Sequence, residues 1–205
     1  MLDPTVRPDR PLTDLLREAA AHGVRLFQYR DKASGMKEAY LCALALRQAA
    51  TEVGALLIIN DRCDLAMAVE ADGVHLGQED LPLAYARRLL GPGKIIGLST
   101  HTASQVREAV IGRPDYIGFG PIFRTSTKAD HDPVVGLEGL RAVRSMTTLP
   151  MFAIGGVTAA SATEIIAAGA DGVAVISAIL NAPDLGAAIR NFRQSLSSLD
   201  RPDPG

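Results

Sequence analysis

Short runs of aliphatic and β-branched residues alternate along the chain with longer, alanine-rich segments in which apolar residues recur at helical spacing. Strands of a parallel sheet are buried on both faces and read as short continuous apolar runs. The pattern predicts strands at Val24–Tyr29, Leu56–Asn60, Gly73–Leu76, Ile95–Ser99, Tyr116–Phe119, Met151–Ile154 and Val173–Ile176. It predicts helices at Leu12–Ala21, Lys37–Val53, Cys63–Glu70, Leu83–Leu90, Ala103–Ile111, Gly136–Ser145, Ala159–Ala168 and Leu185–Leu196.

Each predicted strand is followed by a helix, which is the order of βα units in a parallel sheet. The short spacing between strands, as from Asn60 to Gly73, favours a closed (β/α)8 barrel (TIM barrel) over an open doubly wound sheet. A chain of 205 residues with 47% hydrophobic residues fits one such domain. We therefore expect a single α/β barrel domain over residues 1–198, followed by a flexible tail at 199–205.

Charge and cysteine content exclude several classes of function. The 21 basic and 23 acidic residues are mixed throughout and give a net charge of -2, so the chain lacks the basic field of a nucleic-acid-binding protein. Cys42 and Cys63 are far apart and form no C-x-x-C motif, which fits a reducing, cytoplasmic setting. The first residues show no apolar signal segment, and no apolar run is long enough to cross a membrane.

In a (β/α)8 barrel the chemistry lies at the C-terminal ends of the strands, so the polar residues that follow the predicted strands are expected to share one site. These residues are Gln28, Arg30, Lys32, Asn60, Asp61, Gln78, Asp80, Ser99, His101, Thr125, Thr127, Lys128, Gly155, Gly156 and Ser177. Gln28, Arg30 and Lys32 alternate along one strand end and would lie on one face. Two cations and an amide in this arrangement indicate an anion site, such as one for a diphosphate; a solvated strand end is the alternative.

Asp61 and Asp80 follow neighbouring predicted strands and are candidate metal ligands. Two carboxylates beside Arg30 and Lys32 would suit Mg²⁺, with a diphosphate and water completing its coordination. The alternative is that each aspartate only caps the helix that follows it.

Two further segments indicate phosphate binding. Gly155 and Gly156 end one strand, and barrels often bind phosphate through backbone N–H groups of their last two units; a tight turn is the alternative. Residues 125–128, Thr-Ser-Thr-Lys, form a hydroxyl-rich loop with one cation, which is typical of a lid over an anionic substrate, although a merely solvated loop is also consistent. His75 alternates with apolar neighbours and is interpreted as an interior residue without an assigned role, and His101 likewise receives none.

Taken together, these motifs resemble those of the thiamine-phosphate synthase family, over residues 3–179. The resemblance rests on Gln28-x-Arg30-x-Lys32, Asn60-Asp61-Arg62, residues 72–80 with His75-Leu76-Gly77-Gln78-x-Asp80, Gly97-x-Ser99-x-His101, Gly118-x-Gly120-Pro121-Ile122-Phe123-x-Thr125-x-Thr127-Lys128, Ile154-Gly155-Gly156 and residues 169–177. Each motif is weak alone, whereas the set in this order is specific.

The resemblance implies the condensation of 4-amino-2-methyl-5-(diphosphooxymethyl)pyrimidine with 4-methyl-5-(2-phosphooxyethyl)thiazole, or its carboxylated tautomer, to thiamine phosphate and diphosphate. It implies that the pyrimidine diphosphate is held by Gln28, Arg30, Lys32, Asn60, Ser99 and Lys128, and Mg²⁺ by Asp61 and Asp80. The thiazole phosphate would be held by Thr125, Thr127, Gly156, Ile176 and Ser177. Tyr29, Asp31 and Ser126 are expected to be further substrate-binding residues, and catalysis is expected from Arg30, Lys32, Ser99 and Lys128.

Two other functions are considered as alternatives to the synthase. Thiazole tautomerases share the fold and part of the motifs, but in them a histidine is expected where this chain has Pro121. A non-catalytic phosphate-binding barrel is the second alternative, although a sensor of one phosphate would not need a second, metal-bound anion site. The sequence leaves the oligomeric state open, a homo-oligomer included.

The beginning of the chain departs from the resemblance. Members of the family open with a strand ending in a sequence like Leu-Ile-Thr-Asp-Pro, whereas here only Met1-Leu2-Asp3-Pro4 precedes the corresponding loop. The first barrel strand is therefore expected to be short or missing, which would leave unpaired strand edges at the seam. We expect that several residues upstream belong to the native protein.

Overall fold

The computed structural model describes residues 1–125 and 133–197 and contains a seven-stranded, wholly parallel sheet. The strands are β1 Leu26–Tyr29, β2 Leu56–Asn60, β3 Gly73–Leu76, β4 Ile95–Thr100, β5 Tyr116–Phe119, β6 Met151–Ile154 and β7 Gly172–Ala174. Each strand pairs with the next one in the chain. Because side chains from all seven strands line one cavity, the sheet curls around it. The seven predicted strands are confirmed, with small shifts at their ends.

Helices alternate with the strands, with one helix before β1 and two after β7, and pack against the sheet. Within the described residues they are α1 Leu12–Ala21, α2 Met36–Glu52, α3 Cys63–Ala68, α4 Leu83–Leu90, α5 Ala103–Gly112, α6 Gly136–Arg144, α7 Ala159–Ala167, α8 Ser177–Leu180 and α9 Leu185–Ser197. Helices α5 and α7 begin at capping boxes, in which Thr102 and Thr158 accept backbone N–H bonds. In the part of the chain that the structure describes, no helix is both long and apolar enough to span a bilayer.

One predicted boundary is wrong at the last strand. The apolar run predicts a strand through Ile176, but β7 ends at Ala174 and the short helix α8 begins at Ser177. Val175 and Ile176 lie between the two elements and are as apolar as the strand, so hydrophobicity alone does not mark where β7 ends.

The first residues of the chain lie beside β1. Leu2 forms a single parallel bridge with Tyr29, and its N–H and C=O groups bond to Gln28 and Arg30 at 2.7 and 2.9 Å. The Met1 nitrogen donates to the carbonyl of Val175, just beyond β7, at 2.8 Å. The described residues thus contain seven strands, and Leu2 contributes a bridge instead of a further strand, so the architecture observed is an α/β fold with a curled parallel sheet.

A repeated clamp holds the N-terminal ends of the strands. Asp72, Asp115 and Asp171 each precede an odd-numbered strand, and each carboxylate accepts a backbone N–H bond from the first or second residue of the preceding even-numbered strand at 2.7–2.9 Å. Each also pairs with an arginine from the helix that leads into the even-numbered strand, and these arginines are Arg47, Arg87 and Arg144. Every clamp therefore joins two neighbouring strands to the helix that precedes the first of them.

We predict that Asp72→Ala lowers the free energy of unfolding by about 1–3 kcal/mol, because the half-buried Leu57 N–H loses its acceptor and Arg47 its partner. Urea denaturation measures this change. Glu138→Ala is the control, since its carboxylate is 89% exposed and pairs only with Arg141 on the same helix among the described residues; no measurable change is expected. Equal stability of both variants would contradict a structural role for the clamp.

Candidate active site

A cavity of about 330 Å³ lies inside the curled sheet and reaches its C-terminal edge. The end near this edge is polar, and the lower end is lined by apolar residues such as Leu26, Val173 and Phe192. The polar end carries side chains from β1 to β5, which are Gln28, Asn60, His75, Ser99 and Tyr116. The volume suits a small-molecule ligand. The structure therefore brings together three of the predicted pyrimidine-site residues, Gln28, Asn60 and Ser99.

Gln28 leaves an unmet hydrogen-bond acceptor in this cavity. Its Oε1 atom is buried and has no hydrogen-bond partner among the described residues. A buried acceptor without a partner costs about 1–3 kcal/mol, and the native exceptions generally require an explanation such as a ligand. The cavity is thus built to receive a hydrogen-bond donor at Gln28.

The two predicted metal ligands lie beside each other at the C-terminal edge. Burial is the main cause that raises the pKa of Asp80, and the adjacent Asp61 carboxyl adds to the rise, while the N–H of Gly77 and the charge of Lys32 oppose it. Lys32 forms an ion pair with Asp61. The backbone of Asp61 has a φ of 63°, an uncommon conformation for a residue other than glycine that is often found at functional sites.

Arg30 is held by an aspartate that the sequence analysis did not select. Its guanidinium donates to Asp3 at 2.6 Å, and the two side chains are only 15% and 2% exposed. The second oxygen of Asp3 accepts bonds from the Thr5 backbone and hydroxyl. A signal was present in the sequence, since Asp3 stands at the end of the segment that corresponds to the strand opening related chains.

The predicted phosphate-binding segments meet at the last strands. The backbone of Phe123 donates to Gly155 at 3.0 Å, which lays the segment before Thr125 along the end of β6. Gly156 has a φ of 63°, and a Cβ atom there would lie 2.5 Å from the carbonyl oxygen of Arg124, so only glycine fits. Ile176 is 8% exposed, and Ser177 is the first residue of α8.

Arg7 supports this region from the N-terminal loop. Its guanidinium donates to the carbonyl oxygens of Leu180 and Ala182, at 2.8 and 3.4 Å, where α8 ends. These contacts fix α8 against the segment that also carries Asp3.

Two predicted substrate-binding residues lie away from the cavity. Tyr29 is 1% exposed within the hydrophobic core, and its hydroxyl donates to Asp31 at 2.8 Å. Asp31 also accepts backbone bonds from Ala33 and Ser34; these bonds outweigh burial and lower its pKa. Their observed contacts are those of a turn after β1. Ser126, Thr127 and Lys128 lie outside the described residues.

Two cavity residues were missed as site residues. The sequence pattern predicts no functional role for His75 or Tyr116, yet both line the cavity, on the strands to either side of Ser99. The signal lay in the pairing of strands, because both residues face the same side of the sheet as Ser99, and that pairing is not visible in local sequence patterns.

Comparison with known proteins agrees with this geometry. A family model described as thiamine monophosphate synthase matches residues 2–179. Thiamine-phosphate synthase from Moorella thermoacetica is 47% identical over 185 residues, covering 90% of this chain and 88% of that protein. The Chloroflexus aurantiacus thiamine-phosphate synthase is 45% identical over 183 residues, with coverages of 89% and 84%. The solved structure of thiamine phosphate pyrophosphorylase from Pyrococcus furiosus superposes with a TM-score of 0.83 at 38% identity, over 92% of this chain and 91% of that one.

Proposed function

This chain belongs to the thiamine monophosphate synthase family, and on that premise we propose that the C-terminal edge of its sheet joins the pyrimidine diphosphate to the thiazole phosphate, releasing diphosphate and forming thiamine phosphate. The chain is a transferase of thiamine biosynthesis by this assignment. The names of its relatives favour the synthase over the tautomerase and over a non-catalytic barrel.

The main support for placing the pyrimidine in this cavity is the buried Oε1 atom of Gln28, which has no hydrogen-bond partner among the described residues. An aminopyrimidine presents an exocyclic amine, which donates hydrogen bonds, on a flat ring that fits a narrow cavity. Binding of this amine would satisfy the one acceptor that the cavity leaves unmet within the described residues. Asn60 and Ser99, which line the same end of the cavity, would complete the contacts to the pyrimidine substrate.

Mg²⁺ fits the carboxylate pair beside this cavity. Asp61 and Asp80 offer hard oxygen ligands. Burial raises the pKa of Asp80 most and the neighbouring Asp61 carboxyl adds to the rise, so a cation between the two carboxylates would be stabilising. Among residues 1–125 and 133–197, no cluster of three or more His, Cys, Asp or Glu side chains forms a metal cage. Mg²⁺ sites in enzymes often use one or two carboxylates, with substrate phosphates and water as the other ligands. A bound Mg²⁺ would supply positive charge next to the departing diphosphate.

The reaction requires charge stabilisation and no protein nucleophile. The bond between the pyrimidine methylene carbon and the diphosphate oxygen breaks first, and its electron pair leaves with the diphosphate. The electron-rich aminopyrimidine stabilises the cation, and the thiazole nitrogen then donates its lone pair to form the new C–N bond. Arg30, Lys32 and Lys128 would bind the charge that develops on the leaving group, while the cavity holds the two rings in line.

The thiazole phosphate is assigned to the opposite side of the site. Gly156 permits close approach of its phosphate to the backbone, and Ile176 and Ser177 lie at the next strand end. Thr125 ends the described segment that packs along β6, and Thr127 and Ser126, which lie outside the described residues, are also assigned to substrate binding.

We also propose that the sheet closes as a single (β/α)8 barrel domain over residues 1–198, with residues 1–3 in the place of the remaining strand. The bridge of Leu2 to β1 and the bond from Met1 to Val175 support this closure. Residues 199–205 lie outside the described residues. The cysteine content and the phosphorylated small-molecule substrates favour a cytoplasmic enzyme.

Gln28→Leu tests the pyrimidine placement. The variant should raise the KM for the pyrimidine diphosphate about tenfold or more, because the amine loses its acceptor, while the KM for the thiazole phosphate stays unchanged. The free energy of unfolding should change by less than about 1 kcal/mol, since leucine removes an unmet polar group along with the amide contacts. Steady-state kinetics and urea denaturation measure the two effects.

A substrate analogue without the exocyclic amine provides the matched control. In binding titrations without the thiazole phosphate, the unaltered protein should bind this analogue more weakly than the pyrimidine diphosphate, and Gln28→Leu should bind both about equally. Binding is the readout because loss of the amine also slows cation formation in every variant. If the variant still discriminates as strongly as the unaltered protein, Gln28 does not bind the amine.

A further inference from the structure

We propose that His75 and Tyr116 are a positioning pair, which holds the Ser99 hydroxyl as a hydrogen-bond donor to the pyrimidine diphosphate. The inference rests on the proposed function, because Ser99 is assigned there to the pyrimidine substrate. It adds two residues that would act on the reaction through Ser99 without touching the reacting atoms.

The pair forms a continuous chain of hydrogen bonds across the cavity. The Nδ1 atom of His75 lies 2.9 Å from the Tyr116 hydroxyl, and its Nε2 atom lies 2.9 Å from the Ser99 hydroxyl. The two rings are 5.3 Å apart between centroids, and the Tyr116 ring also packs edge-on against Phe152 at 5.4 Å. His75 is 8% exposed, so water does not readily replace these bonds.

The direction of each bond follows from the buried hydroxyl of Tyr116. Burial is the largest effect on Tyr116 and raises its pKa, so its O–H is retained, whereas the Gln28 side chain lowers this pKa. The Tyr116 O–H then donates to Nδ1 of His75, because a buried phenol proton requires an acceptor.

The tautomer of His75 determines what Ser99 can do. With Nδ1 accepting from Tyr116, the ring proton lies on Nε2 and is donated to the Ser99 oxygen. The hydroxyl of Ser99 therefore keeps its own proton for another acceptor. At the cavity wall that acceptor is an atom of the bound pyrimidine diphosphate.

Two glycines, Gly97 on β4 and Gly118 on β5, leave space for the rings of this pair. A Cβ atom at Gly97 would lie 2.1 Å from the Tyr116 ring and 2.5 Å from Nδ1 of His75. A Cβ atom at Gly118 would lie 3.3 Å from the His75 ring. In the sheet, Gly97 pairs with His75 on one side and with Tyr116 on the other, so the two rings share the space that a larger residue would fill. The residues of β3, β4 and β5 are therefore matched in size, and the two glycines leave the space that the rings of His75 and Tyr116 fill.

Tyr116→Phe is the variant that tests the pair, because it removes one hydroxyl and keeps the ring contacts. We expect kcat to fall about tenfold, since the His75 ring no longer has a fixed tautomer and the Ser99 proton can turn back to Nε2. The KM for the thiazole phosphate should stay unchanged. Tyr40→Phe, which removes a hydroxyl from α2, is the matched control and should leave kcat unchanged.

A double-mutant cycle separates positioning from a merely structural effect. In a Ser99→Ala background, Tyr116→Phe should change kcat by less than about twofold, because its effect passes through Ser99. His75→Gln should retain most of kcat, since an amide N–H can replace Nε2–H, whereas His75→Leu should lose as much as Ser99→Ala. Thermal unfolding of each variant confirms that it is folded.

The possible failures are distinguishable. If the unaltered protein forms no thiamine phosphate, the proposed function fails and the inference fails with it. If the unaltered protein is active and Tyr116→Phe matches it, or if the effects of Tyr116→Phe and Ser99→Ala multiply, the positioning pair is refuted while the proposed function stands.

Discussion

Chelation of divalent cations with EDTA should lower the rate of thiamine phosphate formation by at least about a hundredfold, and added Mg²⁺ should restore it. The physical reason is the carboxylate pair at the sheet edge. Burial and the adjacent Asp61 carboxyl raise the pKa of Asp80, and the single charge of Lys32, which pairs with Asp61, does not balance two carboxylates and an incoming diphosphate. Without the metal ion, the leaving group would depart next to uncompensated negative charge.

The variant Asp61→Asn tests whether the dependence of the rate on Mg²⁺ arises from binding of the metal ion at Asp61. Asparagine tolerates a positive φ, so the backbone at 63° is kept while the charge is lost. The variant should need a much higher Mg²⁺ concentration for half-maximal rate and should be at least about a hundredfold slower at saturation. Glu79→Gln is the matched control, because Glu79 is exposed and stands next to Asp80 in the chain. Equal Mg²⁺ requirements in Asp61→Asn and the unaltered protein would exclude Asp61 as a ligand.

Arg30→Met should reduce kcat/KM for the pyrimidine diphosphate about a hundredfold or more and should also destabilise the fold. Both effects follow from the ion pair with Asp3, whose side chain is 2% exposed. Loss of the guanidinium removes a charge from the diphosphate site and leaves a buried carboxylate unpaired, which costs about 2 kcal/mol or more.

The double variant Asp3→Asn/Arg30→Met separates stability from activity. Removing both charges should recover most of the unfolding free energy, because no buried charge is left alone. Activity should remain low, because the diphosphate still lacks Arg30. Arg17→Met, at an exposed ion pair with Glu52, is the control and should change neither quantity. Recovery of activity in the double variant would show that Arg30 acts only as a structural residue.

The sheet could be predicted from the sequence because its signals are local. A continuous apolar run such as Leu56–Ile59 identifies a strand buried on both faces, and a helix after each run implies parallel order. The boundary of β7 could not be found in this way, since Val175 and Ile176, which follow β7, continue its apolar run. The contacts of Met1 and Leu2 with Val175 and β1 involve two residues, which is too short for any periodicity.

The candidate site could be predicted in part because polar residues after strands converge at one edge. Gln28, Asn60 and Ser99 meet in the cavity, and Lys32 meets Asp61, as that rule requires. Asp3, His75 and Tyr116 could not be found by the rule. Asp3 contacts Arg30 across 27 residues of sequence, and the roles of His75 and Tyr116 depend on strand register and on the space above Gly97.

Simultaneous quantification of both products tests the central claim most directly. The purified protein is mixed with the pyrimidine diphosphate, the thiazole phosphate and Mg²⁺, and thiamine phosphate and diphosphate are followed by chromatography in the same samples. The proposed site predicts equal amounts of the two products at all times, with neither formed at a comparable rate when Mg²⁺ is removed. Absence of thiamine phosphate with both substrates present, or formation at the same rate in EDTA, would contradict it.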